Sequence, residues 1–135
     1  MPEPAPIANP GANHAGVRLC PSADLAEKGL AVLFDVLHFR EPARAFALRF
    51  EGRAVAYLNR CAHVPAEMDW QPGEFLDSRR EFILCSIHGA AYDPRGGRCV
   101  GGPCGRGRLT LIDVAERQGQ VYWYPSPDIQ PAVAD

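Results

Sequence analysis

The sequence has no apolar run long enough to cross a membrane: its longest clear one, residues 30–34 (Leu-Ala-Val-Leu-Phe), falls far short of the ~18 residues a span needs. The opening residues, Met1 to Pro6, carry neither a basic segment nor an apolar one, so no secretory signal is read there and a cytoplasmic location is expected. Excess positive charge is missing too. There are 14 Lys and Arg against 16 Asp and Glu, a formal net charge of −2, and so no electrostatic reason to expect nucleic acid as a partner. No internal repeat and no charge block is present. At 135 residues the chain has room for one domain with a modest core and none for a second, catalytic one.

Backbone punctuation, by contrast, is abundant. The 13 Gly and 13 Pro suit short strands joined by many turns better than long helices. Apolar residues make up 47%, enough for a core. Cysteine is an odd five, which in a reducing compartment points to metal ligation or chemistry before a disulfide framework.

Residues 1–16, with Pro2, Pro4, Pro6 and Pro10, read as a disordered arm, and residues 125–135 as a second loose tail. The folded unit is expected at 17–124. Within it, residues 32–39 read as a strand with Phe34, Val36 and His38 on one face. Residues 45–50 put Phe46, Leu48 and Phe50 on a common face at period two. A turn at Glu51-Gly52 then returns the chain through Val55 and Tyr57, as a hairpin. Further strands are expected at 80–85, 109–114 and 120–124, the last two joined across Arg117-Gln118-Gly119. One short helix is expected at 23–28, capped by Ser22 and ended by Gly29. The pattern is that of a small antiparallel barrel or sandwich, an all-β fold.

Two short motifs stand out, Cys61-Ala62-His63 and Cys85-Ser86-Ile87-His88, each just after an expected strand, where the chain enters a loop. A [2Fe–2S] cluster takes four protein ligands, two per iron. Where two His replace two Cys on one iron, neutral donors replace thiolates and the potential rises relative to an all-Cys cluster. Two loops that each offer one Cys and one His can clamp both irons, Cys61 and Cys85 on the inner one and His63 and His88 on the outer. A neutral imidazole leaves its second nitrogen for solvent, where proton and electron transfer can couple. The alternatives are buried Cys and structural His without metal, and zinc. Zinc also accepts two Cys and two His, but finger spacing groups Cys with Cys and His with His.

C-x-H, about twenty residues, then C-x-x-H resembles the Rieske [2Fe–2S] family. The likeness continues through Gly89, Tyr92-Asp93, the turn Gly96-Gly97, and Gly101-Gly102-Pro103, which is similar to the proline loop that covers the family's cluster. It implies a fold of three small antiparallel sheets with a cluster-binding subdomain at one tip, and one [2Fe–2S] cluster per chain on Cys61, His63, Cys85 and His88. The sequence departs from the membrane-anchored respiratory members. Ala66 and Ile87 stand where those carry the two Cys of a loop-to-loop disulfide. Ala90 stands where they carry a Ser that hydrogen-bonds a bridging sulfide, while Tyr92 keeps the neighbouring Tyr. Loss of a donor to sulfur disfavours the reduced state, and Glu67 and Asp69 near a cluster act in the same direction. The low end of the roughly −150 to +300 mV Rieske range is therefore expected.

The resemblance implies an electron carrier of the ferredoxin type and not an enzyme. It takes electrons from a flavin reductase and passes them to a terminal oxygenase, with His63 and His88 at the transfer edge, framed by Pro65 and Pro103. Two other readings stay open: a small Rieske subunit of a multi-chain oxygenase or reductase, and a redox sensor. Only His14 and His38 remain for a 2-His-1-carboxylate iron site, so catalysis requires another chain. Of the other residues, Cys20 is read as inert. Cys99 and Cys104 are read as packed or free thiols, with a disulfide or a place beside the cluster as alternatives. Trp70 is read as packing beneath the cluster loop. Arg95, Arg98, Arg106 and Arg108 are read as a solvated face, with docking of an acidic partner as the alternative. The oligomeric state is not read from the sequence.

Overall fold

A computed structural model of the chain describes residues 16–62 and 66–132, so the expected N-terminal arm, Gly16 apart, lies outside the described residues. Among these, the strands in chain order are β1 (Val17–Pro21), β2 (Val32–His38), β3 (Glu41–Phe50), β4 (Arg53–Leu58), β5 (Ile83–Leu84), β6 (Ala91–Tyr92), β7 (Cys99–Gly101), β8 (Leu111–Arg117), β9 (Gln120–Tyr124) and β10 (Ile129–Pro131). They form one sheet in the order β1-β9-β8-β4-β3-β2-β10 and a second in the order β5-β6-β7. Pairing between these strands is antiparallel. β4 and β8 share only Ala56↔Ile112 and Tyr57↔Leu111. The long sheet is thus two sheets hinged at that pair, and with the small one it makes the three antiparallel sheets expected. No helix among the described residues is long and apolar enough to cross a membrane.

Period two dictates what β3 does. Ala45 and Ala47 point into one core with Val36, Ala56, Leu58, Ile112 and Trp123. Phe46, Leu48 and Phe50 point into the other, with Tyr57, Phe75, Ile83, Cys85 and Tyr92. β3 is therefore the wall between the sandwich and the subdomain, and small residues on one face with large ones on the other let both sides close. Phe46 stacks on Phe75 at 3.7 Å between ring centroids, and the Tyr57 hydroxyl donates to the Pro94 carbonyl at 2.7 Å. Both contacts dock the subdomain on the sheet. Burial raises the Tyr57 pKa to about 12. Gly97 allows this approach: a Cβ there would lie 2.8 Å from the Tyr57 ring, at a φ of +82°.

The hairpins β3–β4 and β8–β9 turn where expected, at Glu51-Gly52 and Gln118-Gly119, with positive φ at each of the four residues. Four expectations are corrected. The helix expected at 23–28 is a single 3₁₀ turn, Ser22–Asp24. Arg49 of β3 takes the Ser22 and Leu25 carbonyls with its guanidinium, and its own carbonyl accepts the Lys28 N–H, so a distant side chain satisfies groups a helix requires. The strand expected from 80 starts only at Ile83, because Asp77 accepts the N–H groups of Glu81 and Phe82 in a turn that holds Arg80 at φ 60°. The strand expected at 109–114 runs instead over β8, since the Leu109 N–H is taken by the Gly97 carbonyl. Finally, the segment read as a loose tail supplies β10, which pairs Ile129 with His38 and buries Ile129. Pro131 is tolerated because β10 is an edge strand.

Candidate metal centre

Two closed loops carry the Cys and His motifs. The first leaves β4 at Asn59, a buried polar side chain that works in both directions. Its Oδ1 accepts the Met68 N–H at 2.8 Å, and its Nδ2 donates to Asp69 Oδ1 at 3.0 Å. Asp69 Oδ2 in turn accepts the Gly73 N–H, and the Cys61 N–H donates to the Ala66 carbonyl at 2.9 Å. The second loop leaves β5 at Cys85 and closes on itself, with Cys85 N–H to Ala90 O and Gly89 N–H to Cys85 O, both 2.8 Å. Ser86 ties the two together: its N–H and its hydroxyl both donate to the Met68 carbonyl, at 3.1 and 2.8 Å. Ala66 and Ile87 leave no disulfide between these loops, and hydrogen bonds through Met68 hold them in register instead.

The loops bring together Cys61, Cys85 and His88, whose ligand atoms lie within 4.8 Å of one another. Both sulfurs are buried, and His88 Nδ1 lies 3.5 Å from Cys85 Sγ. His63 and Pro65 lie outside the described residues. Burial pushes the Cys85 thiol pKa up, while the backbone N–H groups of His88 and Ile87, hydrogen-bonded to the sulfur, act in the opposite direction. Tyr92 sits beneath the first loop. Its oxygen accepts the Ala62 N–H at 3.0 Å and lies 3.3 Å from Cys61 Sγ, where it donates when that sulfur is a thiolate. Burial, and after it the Cys61 sulfur, raises the Tyr92 pKa. Two converging sulfurs, an imidazole nitrogen and hydrogen-bond donors aimed at sulfur suit a thiolate- and imidazole-bound cluster, in which negative charge resides on sulfur.

A third loop covers these two. A Cβ on Gly102 would lie 2.4 Å from the Gly89 carbonyl oxygen and 2.9 Å from Ala90 Cα, so at φ +80° only glycine permits this contact. Gly107 lies against Ala62, whose Cβ would stand 3.0 Å from a Cβ placed there. Cys99 and Cys104 form a disulfide across this loop, which corrects their reading as packed or free thiols. Spacing alone does not reveal that the Gly101-Gly102 backbone turns the chain back on itself. Trp70 is also corrected: it is exposed, because Met68 and Asp69 take the inward positions before it. His38 stands on β2 against the Phe39 ring and is not one of the three grouped donors, and Cys20 is buried in the sandwich core. His14 lies outside the described residues. Sequence reasoning missed Asn59 and Ser86; a lone polar residue at the end of an apolar strand was the available signal for Asn59.

Residues 16–124 match the family profile described as Rieske [2Fe-2S] domain. A comparison of the sequence with curated proteins found no match. Among solved structures the fold is similar to that of the ferredoxin of carbazole 1,9a-dioxygenase from Nocardioides aromaticivorans IC177. That match has a TM-score of 0.63 at 20% identity, over 82% of this chain and 98% of that one. A chain in the complex of reduced oxygenase and oxidised ferredoxin of carbazole 1,9a-dioxygenase matches with a TM-score of 0.63 at 22% identity, over 83% of this chain and 94% of that one. The terminal oxygenase of the Nocardioides system matches with a TM-score of 0.65 at 22% identity, over 87% of this chain but only 31% of its own length. At such identities these structures establish the fold. With the profile spanning most of the chain and Cys61, Cys85 and His88 brought together, the chain belongs to the Rieske [2Fe-2S] domain family, whose cofactor is a [2Fe–2S] cluster.

Proposed function

We propose that the chain is a one-electron carrier, with Cys61, His63, Cys85 and His88 as the cluster ligands. The convergence of Cys61, Cys85 and His88 at one end of the subdomain carries this reading. When bound, a Rieske cluster supplies a one-electron couple tuned by its ligands and the hydrogen bonds around them. The chain's own residues do the rest. Cys61 and Cys85, buried, hold the inner side away from water, while His88, half-buried next to exposed Ile87, faces the surface where an electron leaves or enters. The folds it shares include a ferredoxin of a dioxygenase system and a chain of an oxygenase–ferredoxin complex, which supports a terminal oxygenase as acceptor; a flavin reductase as donor follows from the family resemblance alone.

The likeness to part of a terminal oxygenase favours a second reading, a permanent small subunit of a multi-chain oxygenase. Ligation is tested by substitution. His63→Ala and His88→Ala are expected to abolish the spectrum of the reduced cluster, and His38→Ala to leave it intact; loss of the spectrum in His38→Ala contradicts the ligand set. Recovery of the chain alone after expression beside its acceptor supports the carrier, and a stable complex supports the subunit.

A further inference from the structure

We infer that Cys99 and Cys104 form a second redox site in this protein, a dithiol/disulfide pair whose oxidised state locks the covering loop over both ligand loops and whose reduction releases it. The pair is not among the expected ligands, and its Cα atoms stand 5.8 Å apart, within the reach of a disulfide. What it encloses is Val100, Gly101, Gly102 and Pro103, and this segment rests directly on Gly89 and Ala90 of the second ligand loop. Gly107, just beyond it, rests on Ala62 of the first. One short covalent loop thus spans the seam between the two.

The other ties of this loop are short. β7 meets β6 at only two pairs, Ala91↔Gly101 and Tyr92↔Cys99, with an irregularity between them. The 3₁₀ turn at Gly102–Cys104 has no side-chain cap. Two further backbone bonds, Cys99 N–H to Gly107 O and Gly107 N–H to Cys104 O, lie within the loop, the Arg98↔Arg108 bridge closes its base, and Cys104 packs at the edge of the subdomain core. Four glycines between 101 and 107 make the opened loop unusually free. Other surfaces of the chain carry less: Cys20 is buried alone in the sandwich core, and exposed Phe39 has nothing that defines an occupant.

The two sulfurs are unequal, which sets the chemistry. Cys99 is half-buried and Cys104 buried, so an incoming thiolate reaches Cys99 Sγ. A dithiol reductant forms a mixed disulfide there and expels Cys104 as thiolate. Its second thiol then closes the reductant's own disulfide and expels Cys99. Two electrons pass from the dithiol to the pair, and the two released thiolates take up two protons. A disulfide oxidant runs the exchange backward. The site is therefore a two-electron couple that governs access to the centre used in one-electron transfer.

The inference rests on the cluster and not on which proteins exchange electrons with it. The test uses the full chain with its cluster, purified anaerobically without reductant, then treated or not with dithiothreitol and challenged with EDTA. Before treatment, alkylation and mass spectrometry are expected to find Cys99 and Cys104 protected, and after treatment labelled, Cys99 first. Dithiothreitol is expected to speed the loss of visible absorbance by about tenfold or more, on the scale of a lost short-loop closure. Cys99→Ser/Cys104→Ser is expected to match the treated wild type and to ignore the reductant, which separates loop opening from attack on the cluster. Amide hydrogen exchange at residues 86–91 of the cluster-loaded chain, measured before any cluster is lost, is expected to rise in parallel. Free thiols at both positions before treatment overturn the inference, and so does equal cluster loss and equal exchange in the oxidised wild type and the double variant. A chain that holds no iron or sulfide at all contradicts the family cofactor instead, and alkylation then decides separately whether the two cysteines are paired.

Discussion

Tyr92 shows how much one hydroxyl can decide. Its oxygen accepts the Ala62 N–H, and toward a cluster-bound Cys61 thiolate, which has no proton to give, the hydroxyl is the donor. A donor to sulfur stabilises the more negative, reduced state, so Tyr92→Phe is expected to lower the midpoint potential. A hydrogen bond worth about 1 kcal/mol corresponds to about 40 mV for one electron. Potentiometric titration of wild type and variant checks this, and an unchanged or raised potential contradicts it. Cys61, Cys85 and His88, which the structure brings together, were singled out in the sequence because ligand chemistry demands those residue types in that order, while His63 lies outside the described residues. Asn59 and Ser86 were not, since their work is to join segments distant in the chain. The pairing of Cys99 with Cys104 was likewise hidden, because it depends on where the glycines between them send the backbone.

Strands were read well where a side chain alternated between two cores, as Phe46, Leu48 and Phe50 do, and poorly where a distant group intervened. Arg49 is the clearest case. It draws the carbonyls of Ser22 and Leu25 away from helix formation and reaches Glu116 of β8 with two hydrogen bonds, at 3.0 and 2.7 Å. This ion pair bridges β3 to the far end of β8, beyond the two residue pairs that join β4 to β8, and its side chains are 17% and 31% exposed. The Arg49 guanidinium holds the Glu116 carboxyl below its ordinary range. A depressed carboxylate contributes stability that is fully present above its unfolded pKa, about 4.3, and is lost as pH falls through the lower folded value. Glu116→Gln is therefore expected to cost about 1 kcal/mol at pH 7 and almost nothing near pH 2.5. Urea unfolding at the two pH values measures it, and an equal cost at both contradicts the assignment. β10 escaped sequence reading for a different reason: Pro125, Pro127 and Pro131 mask a strand that needs only Ile129 to be buried and an edge position to be tolerated.

At the scale of the whole molecule, the wall formed by β3 separates a sandwich that supplies stability from a subdomain that presents a metal centre at its end. A net charge of −2 conceals a local excess of the other sign. Arg98 and Arg108 face each other across a bridge, Arg106 lies beside them in the covering loop, and all three are exposed with no ion pair among the described residues. Arg95, by contrast, is neutralised by Glu51 and Asp93. Opposed like charges cost stability, and salt dependence separates a solvated face from a rim that docks an acidic partner. With ferricyanide as an anionic probe, oxidation of the reduced chain is expected to slow by roughly tenfold between low and high salt. Arg98→Glu/Arg108→Glu is expected to lose most of that dependence, and salt-independent rates in the wild type contradict the role of the rim. The central claim, a one-electron centre held by two Cys and two His, is tested most directly by electron paramagnetic resonance of the anaerobically purified, dithionite-reduced chain. The account predicts a rhombic Rieske-type signal integrating to about one spin per chain. A silent sample containing zinc without iron or sulfide, or the signal of an all-Cys cluster, contradicts it.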